Sequence, residues 1–194
     1  DPKFPQADAA RRLQEMIALG SNPAQAVQSL ARVQEILKAD PQYTPAEMVL
    51  AIASEQQGNA AAARQSYERV FARNPQLAFA ARNLAILIEK QGTDDKRAAD
   101  LANTAREAYP DDADLARTLG MLAYRRGDFG RATQFLKESA RKRANDAELS
   151  FYLGMSHYRV DQKAESRQAL QGALALKVRD DLAREAQRVL QELK

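Results

Sequence analysis

His157 is the only histidine among 194 residues, and there is no cysteine. An imidazole on its own does little chemistry. Metal binding on a helix wants a second histidine four residues away, and nucleophilic catalysis wants a nucleophile and an orienting carboxylate. His157 has neither an HExxH pattern nor a His at i+4. Thiolate catalysis, disulfides and cysteine-based metal sites are excluded by composition. Acidic residues cluster as "TDD" (93–95), "DDAD" (111–114) and "NDAE" (145–148). Each cluster falls where a helix should begin, so its charge complements the positive end of the helix dipole. The eight glycines are scattered as turn and packing residues, with no loop that could cradle a phosphate. No catalytic residue, no metal ligand and no cofactor is expected.

The basic residues need the same scrutiny. "ARKRAN" at 140–145 is the densest basic run. Arg141, Lys142 and Arg143 close a helix there, where cations meet the negative dipole end, and no aromatic stands beside them to stack on bases. The net charge of +3 arises entirely within residues 111–145, which hold eight Lys/Arg and five Asp/Glu. A nucleic-acid binder would be basic more uniformly, so no nucleic acid is expected. No apolar run approaches the ~18 residues of a membrane span, which argues against direct membrane insertion. The chain opens "DPKFPQADAA" without a signal-peptide core and reads as an excised piece; cytoplasm and periplasm both remain open.

Composition and spacing put all of these residues on or between helices. Ala, Leu, Gln, Glu and Arg dominate, and all are helix formers. Ala116, Leu119, Gly120 and Ala123 fall at i, i+3, i+4 and i+7, one helical face. Gly127 interrupts, and Asp128 offers an N-cap to a second helix carrying Ala132, Leu136, Ser139 and Ala140. The same register recurs: Leu50-Ala51, Leu84-Ala85, Leu119-Gly120 and Leu153-Gly154 lie 34, 35 and 34 residues apart. Turns follow at Gly58-Asn59, Gly92 with "TDD", Gly127-Asp128 and, more weakly, Asp161-Gln162. Second helices carry Ala63/Tyr67, Ala98/Ala102, Ala132/Leu136 and Ser166/Leu170. Pro41, Pro75 and Pro110 stand between units, where a helix must stop. "TPAE" at 44–47 predicts a capping box, with Thr44 as cap, Pro45 in the first helical position and Glu47 reaching back.

This order of residues resembles the tetratricopeptide repeat (TPR). The resemblance implies an all-α fold, a right-handed superhelical solenoid of antiparallel helix pairs. Residues 1–6 would be a tail or linker. The array would run over 7–178, as a degenerate unit at 7–40 and units at 44–77, 78–112, 113–146 and 147–178. In the degenerate unit Asn22-Pro23 starts the second helix, with Ser29, Val33 and Ile36 in its packing places. Residues 179–194 would form a capping helix, its stripe made of Leu182, Ala186, Val189, Leu190 and Leu193. The family's early aromatic is replaced by Glu47, Ala81, Ala116 and Ser150, and Ala144 and Val178 stand where it prefers proline.

The resemblance also implies that first helices line a groove one residue after the packing places. On this chain those places are Met48, Ile52 and Glu55; Arg82, Ile86, Glu89 and Lys90; Arg117, Met121, Tyr124 and Arg125; and Phe151, Met155, Tyr158 and Arg159. Such a lining suits a protein or peptide partner with apolar anchors and acidic flanks. On that basis Arg117→Glu with Arg125→Glu should weaken binding and leave folding nearly unchanged. The chaperone-tail clamp of some relatives is not supported: Asn83 fits one of its places, but Met48, Ile52, Asp114 and Thr118 replace the others. Three function classes stay open: a protein-interaction scaffold, a structural or self-associating segment resembling helical arms of bacterial envelope and export systems, and an accessory domain to an enzyme beyond these residues. A homo-oligomer is compatible with each.

Overall fold

The computed structural model describes residues 7–193, so the expected tail at 1–6 lies outside the described residues. Among the described residues there are twelve α-helices and no strand. They are α1 (Ala7–Gly20), α2 (Pro23–Gln28), α3 (Leu30–Ala39), α4 (Thr44–Gln56), α5 (Ala60–Arg73), α6 (Ala78–Gln91), α7 (Asp95–Ala108), α8 (Ala113–Arg125), α9 (Phe129–Ala140), α10 (Ala147–Arg159), α11 (Lys163–Ala175) and α12 (Asp180–Glu192). The chain divides into two compact units, with the boundary after Leu87 inside α6.

Turn chemistry sets the helix ends. Asn22, Asn59, Asp94, Asp128 and Asp146 each accept a backbone N–H three residues on, satisfying a donor that the helix start leaves open. Gly127 holds φ at 77°, a left-handed value that costs glycine nothing. Asp161 adopts φ 58° at the equivalent turn, so the weakest turn signal in the sequence still makes the same bend.

Two expectations fail locally. The capping box at 44–47 does not form: Tyr43 holds the cap position, and it makes no side-chain cap bond. Glu47 is 3% exposed and accepts two hydrogen bonds from Arg69 of α5, from Nη2 at 2.6 Å and Nε at 3.0 Å. A buried carboxylate is better served by a two-pronged guanidinium than by one backbone N–H. In the degenerate unit Ser29 is half-buried and interrupts the second helix between α2 and α3, whereas Val33 and Ile36 are buried as expected.

Thin faces let paired helices close. In the second unit α8 packs on α9 and α10 on α11. A Cβ at Gly120 would lie 2.6 Å from Leu136 Cγ and 3.1 Å from its backbone nitrogen; one at Gly154 would lie 2.7 and 3.0 Å from the same atoms of Leu170. Gly120→Ala gains about 1 kcal/mol of helix propensity but overpacks a backbone that cannot retreat, at ~1–3 kcal/mol. A net loss of about 1 kcal/mol is expected in urea unfolding. Gly172→Ala, on α11 with nothing within 4 Å, should instead stabilise.

Helix α12 lies against this unit through Leu182, Ala186, Val189 and Leu193, which join Phe151, Met155, Leu170, Ala173 and Val178 in one cluster. Leu190, placed on the same stripe by sequence, packs at its edge.

Candidate functional site

The first unit carries an open apolar cleft. Leu13 and Ile17 of α1, Met48 and Ile52 of α4, and Leu77 and Phe79 line a cavity of about 420 Å³. Leu13 is 43% and Ile17 58% exposed, the two most exposed large apolar side chains among the described residues. Met16, one residue before Ile17, is buried in the core beneath. Helix α1 therefore bears more apolar surface than its packing uses.

The first unit also holds a chain of polar side chains. Asn83 Nδ2 donates to the Tyr67 hydroxyl at 3.2 Å, which donates to Glu55 Oε2 at 3.3 Å. Arg82 Nη1 donates to Asn83 Oδ1 at 2.9 Å. Burial raises the Tyr67 phenol well above its ordinary value, and the charge of Glu55 adds to it. Asn83 is thus committed within the fold. Ile86 is 9% exposed and Lys90 exposed.

In the second unit the first helices are tied together by charge. Glu89, 3% exposed, sits between two guanidinium groups: Arg125 Nη1 lies 2.9 Å from Oε1 and Arg117 Nη1 3.6 Å from Oε2. Arg117 also reaches Glu148 at 2.8 Å and Asp146 at 3.6 Å. Arg125 grips Asp95 with two bonds of 2.9 Å. Arg143 pairs with Asp114 and, at 3.0 Å, with Asp146. Burial acts to raise the Asp146 carboxyl, but the Leu149 N–H, Arg143 and Arg117 outweigh it and hold the group below its usual range. A depressed folded value means stabilisation that is present above the unfolded value and lost as pH falls through the folded one. Acid melting should begin below about pH 4, and Asp146→Asn should flatten that part of the profile.

The apolar candidates of this unit are placed differently from the sequence expectation. Met121, Phe151 and Met155 are 5%, 3% and 6% exposed. Met121 lies among Ala132, Leu136 and Leu149, whereas Phe151 and Met155 lie with Val178 and the α12 stripe. The physical reason is that successive helices, α12 included, cover the face expected to stay open. Tyr124 is half-buried, edge-on to Phe129 and Tyr152 at 5.5 and 5.0 Å. Tyr158 donates to Glu192 of α12 at 2.5 Å, and the Arg159 guanidinium stacks on Phe129 at 4.1 Å.

His157 is 7% exposed with Nδ1 2.6 Å from Gln162 Oε1. An amide oxygen only accepts, so Nδ1 carries the proton and the ring braces the turn. Among the described residues no group of three or more His, Cys, Asp or Glu could hold a metal ion, and no helix is long and apolar enough to cross a membrane.

Of the residues named from sequence, Met48 and Ile52 line the cleft; Leu13, Ile17, Leu77 and Phe79, which also line it, were not among them. A signal was present: Leu13, Met16, Ile17 and Leu19 wrap further round α1 than one packing stripe requires.

No protein-family model and no curated protein matches the chain. Solved bacterial TPR proteins share its fold. PilW, described as a widely conserved type IV pilus biogenesis factor, superposes with a TM-score of 0.64 at 16% identity, over 96% of this chain and 90% of that one. YrrB, described as a TPR protein with an unusual peptide-binding site, gives 0.66 at 15% identity over 87% and 86%. MamA of MSR-1 gives 0.65 at 20% identity over 85% and 96%.

Proposed function

We propose that this chain is a non-catalytic protein-interaction scaffold that takes an apolar segment of a partner protein in the cleft between α1 and α4. One observation carries the proposal: Leu13 and Ile17 stand in solvent at the mouth of an apolar cavity that Met48 and Ile52 also line. Exposed aliphatic side chains beside a concavity mark interaction sites on soluble proteins. The TPR-type fold is consistent with a peptide-binding use, as in YrrB. Arg117 and Arg125 already hold carboxylates of their own unit, so an acidic partner would have to displace those pairs. The apolar anchors, not the arginines, supply the affinity.

Displayed random peptides selected on the wild-type chain test this. Binders should weaken by tenfold or more on Leu13→Glu/Ile17→Glu, since each lost aliphatic contact is worth roughly 1.5–3 kcal/mol. Both positions are exposed, so the helix content and melting of the variant should match wild type. Binders that hold the variant equally well would place recognition elsewhere.

A further inference from the structure

The cleft offers a partner few hydrogen bonds. Its polar side chains are those of Ser21, Thr44 and Asn74. The Ser21 hydroxyl already donates to the Ile17 carbonyl at 2.9 Å, and Asn74 Oδ1 accepts from the Gln76 N–H at 3.1 Å. An extended segment lying on these walls would leave its backbone N–H and C=O groups without partners, at a cost in binding. A helix satisfies its own backbone and presents only side chains. The two walls favour one further. Leu13 and Ile17 stand one turn apart on α1, and Met48 and Ile52 one turn apart on α4, the spacing that receives aliphatic side chains at i and i+4.

Charge fixes the rest. No ionisable side chain lines the cavity. Glu55 lies three residues beyond Ile52 on the same face of α4. It is exposed, accepts the Tyr67 hydroxyl at 3.3 Å, and makes no ion pair among the described residues. A carboxylate with no ion pair of its own therefore stands about one turn past Ile52 on α4.

We infer that the occupant is an amphipathic helix of a partner protein, carrying two aliphatic anchors at i and i+4 and a basic residue about one turn past the anchor that meets Ile52. The inference rests on the scaffold function proposed above and deepens it. It reverses the acidic flank that the sequence suggested.

Three fluorescein-labelled Ala/Gln peptides of roughly fifteen residues, long enough to form a helix, test it by anisotropy. The first carries Leu at i and i+4 and Lys one turn on. The second has Glu in place of Lys, and the third has Pro between the leucines. The first peptide should bind, and Leu13→Glu/Ile17→Glu should abolish that binding. The proline peptide should bind about a hundredfold more weakly. The Glu peptide should bind about fivefold more weakly on wild type, with the order inverted on Glu55→Lys. A proline peptide that binds equally, and still depends on Leu13 and Ile17, would overturn the helix and leave the scaffold function standing. Failure of all three peptides to bind at the cleft would overturn the helix, and the random-peptide selection then decides the scaffold function independently. A concentration-dependent dimer in sedimentation, dissolved by Ile17→Glu, would assign the cleft to a second copy of this chain and overturn the partner helix.

Discussion

Deleting residues 180–194 is expected to unfold the second unit. Helix α12 buries Leu182, Ala186 and Val189, together with its cap residue Leu193, against Phe151, Met155 and Val178. Each large side chain contributes roughly 1.5–3 kcal/mol of burial, so the deletion forfeits about 5 kcal/mol or more. That is comparable to the whole net stability of a small domain. It also strips the cover from Phe151 and Met155 and removes Glu192, the acceptor of the Tyr158 hydroxyl. The truncated chain should lose a large part of its helical circular dichroism at 25 °C and aggregate. A soluble truncation with an unchanged urea midpoint would show that α12 covers nothing essential.

Reversing Arg117 and Arg125 together is expected to destabilise nearly as strongly. The sequence, which placed both on an open wall, implied that Arg117→Glu/Arg125→Glu would spare folding. Their surroundings say otherwise. Glu89 is buried between them, and removing the partner of a buried charge costs about 3–5 kcal/mol. Asp95, Asp146 and Glu148 would then face new anions. A loss of about 3 kcal/mol or more is expected in chemical unfolding. Arg159→Glu, which removes only a stack on Phe129, should cost about 1 kcal/mol or less. Equal small losses for both variants would mean that the charge row does not hold α6, α8 and α10 together.

Much of the fold was legible because repetition multiplies weak signals. Leu119-Gly120 and Leu153-Gly154 sit thirty-four residues apart because each glycine admits a leucine of its paired helix, Leu136 or Leu170. The caps at Asn59, Asp94, Asp128 and Asp146 follow from side chains that can accept a backbone N–H. Glu47 was misread because nothing local distinguishes a carboxylate that caps its own helix from one that pairs with Arg69, twenty-two residues on.

The candidate site was less legible. Periodicity identifies the face a residue occupies, but not whether a later helix covers it. Met48 and Phe151 hold equivalent register places. The first borders an open cleft, and the second lies under the α12 stripe. Charge posed the same difficulty. Arg117 and Arg125 look like free donors for an acidic partner until Glu89, Asp95 and Glu148 are brought beside them by the fold. Leu13 and Ile17 were visible as apolar residues, but their exposure depends on which stripe of α1 the core takes, and it takes Met16.

Methyl NMR of the intact chain, titrated with a peptide selected on it, decides which unit holds the partner. The methyl resonances of Leu13, Ile17, Met48 and Ile52 should shift together, with those of Met121 and Met155 unmoved. Shifts confined to Met121, Met155 and their neighbours would contradict the account and move the partner to the second unit.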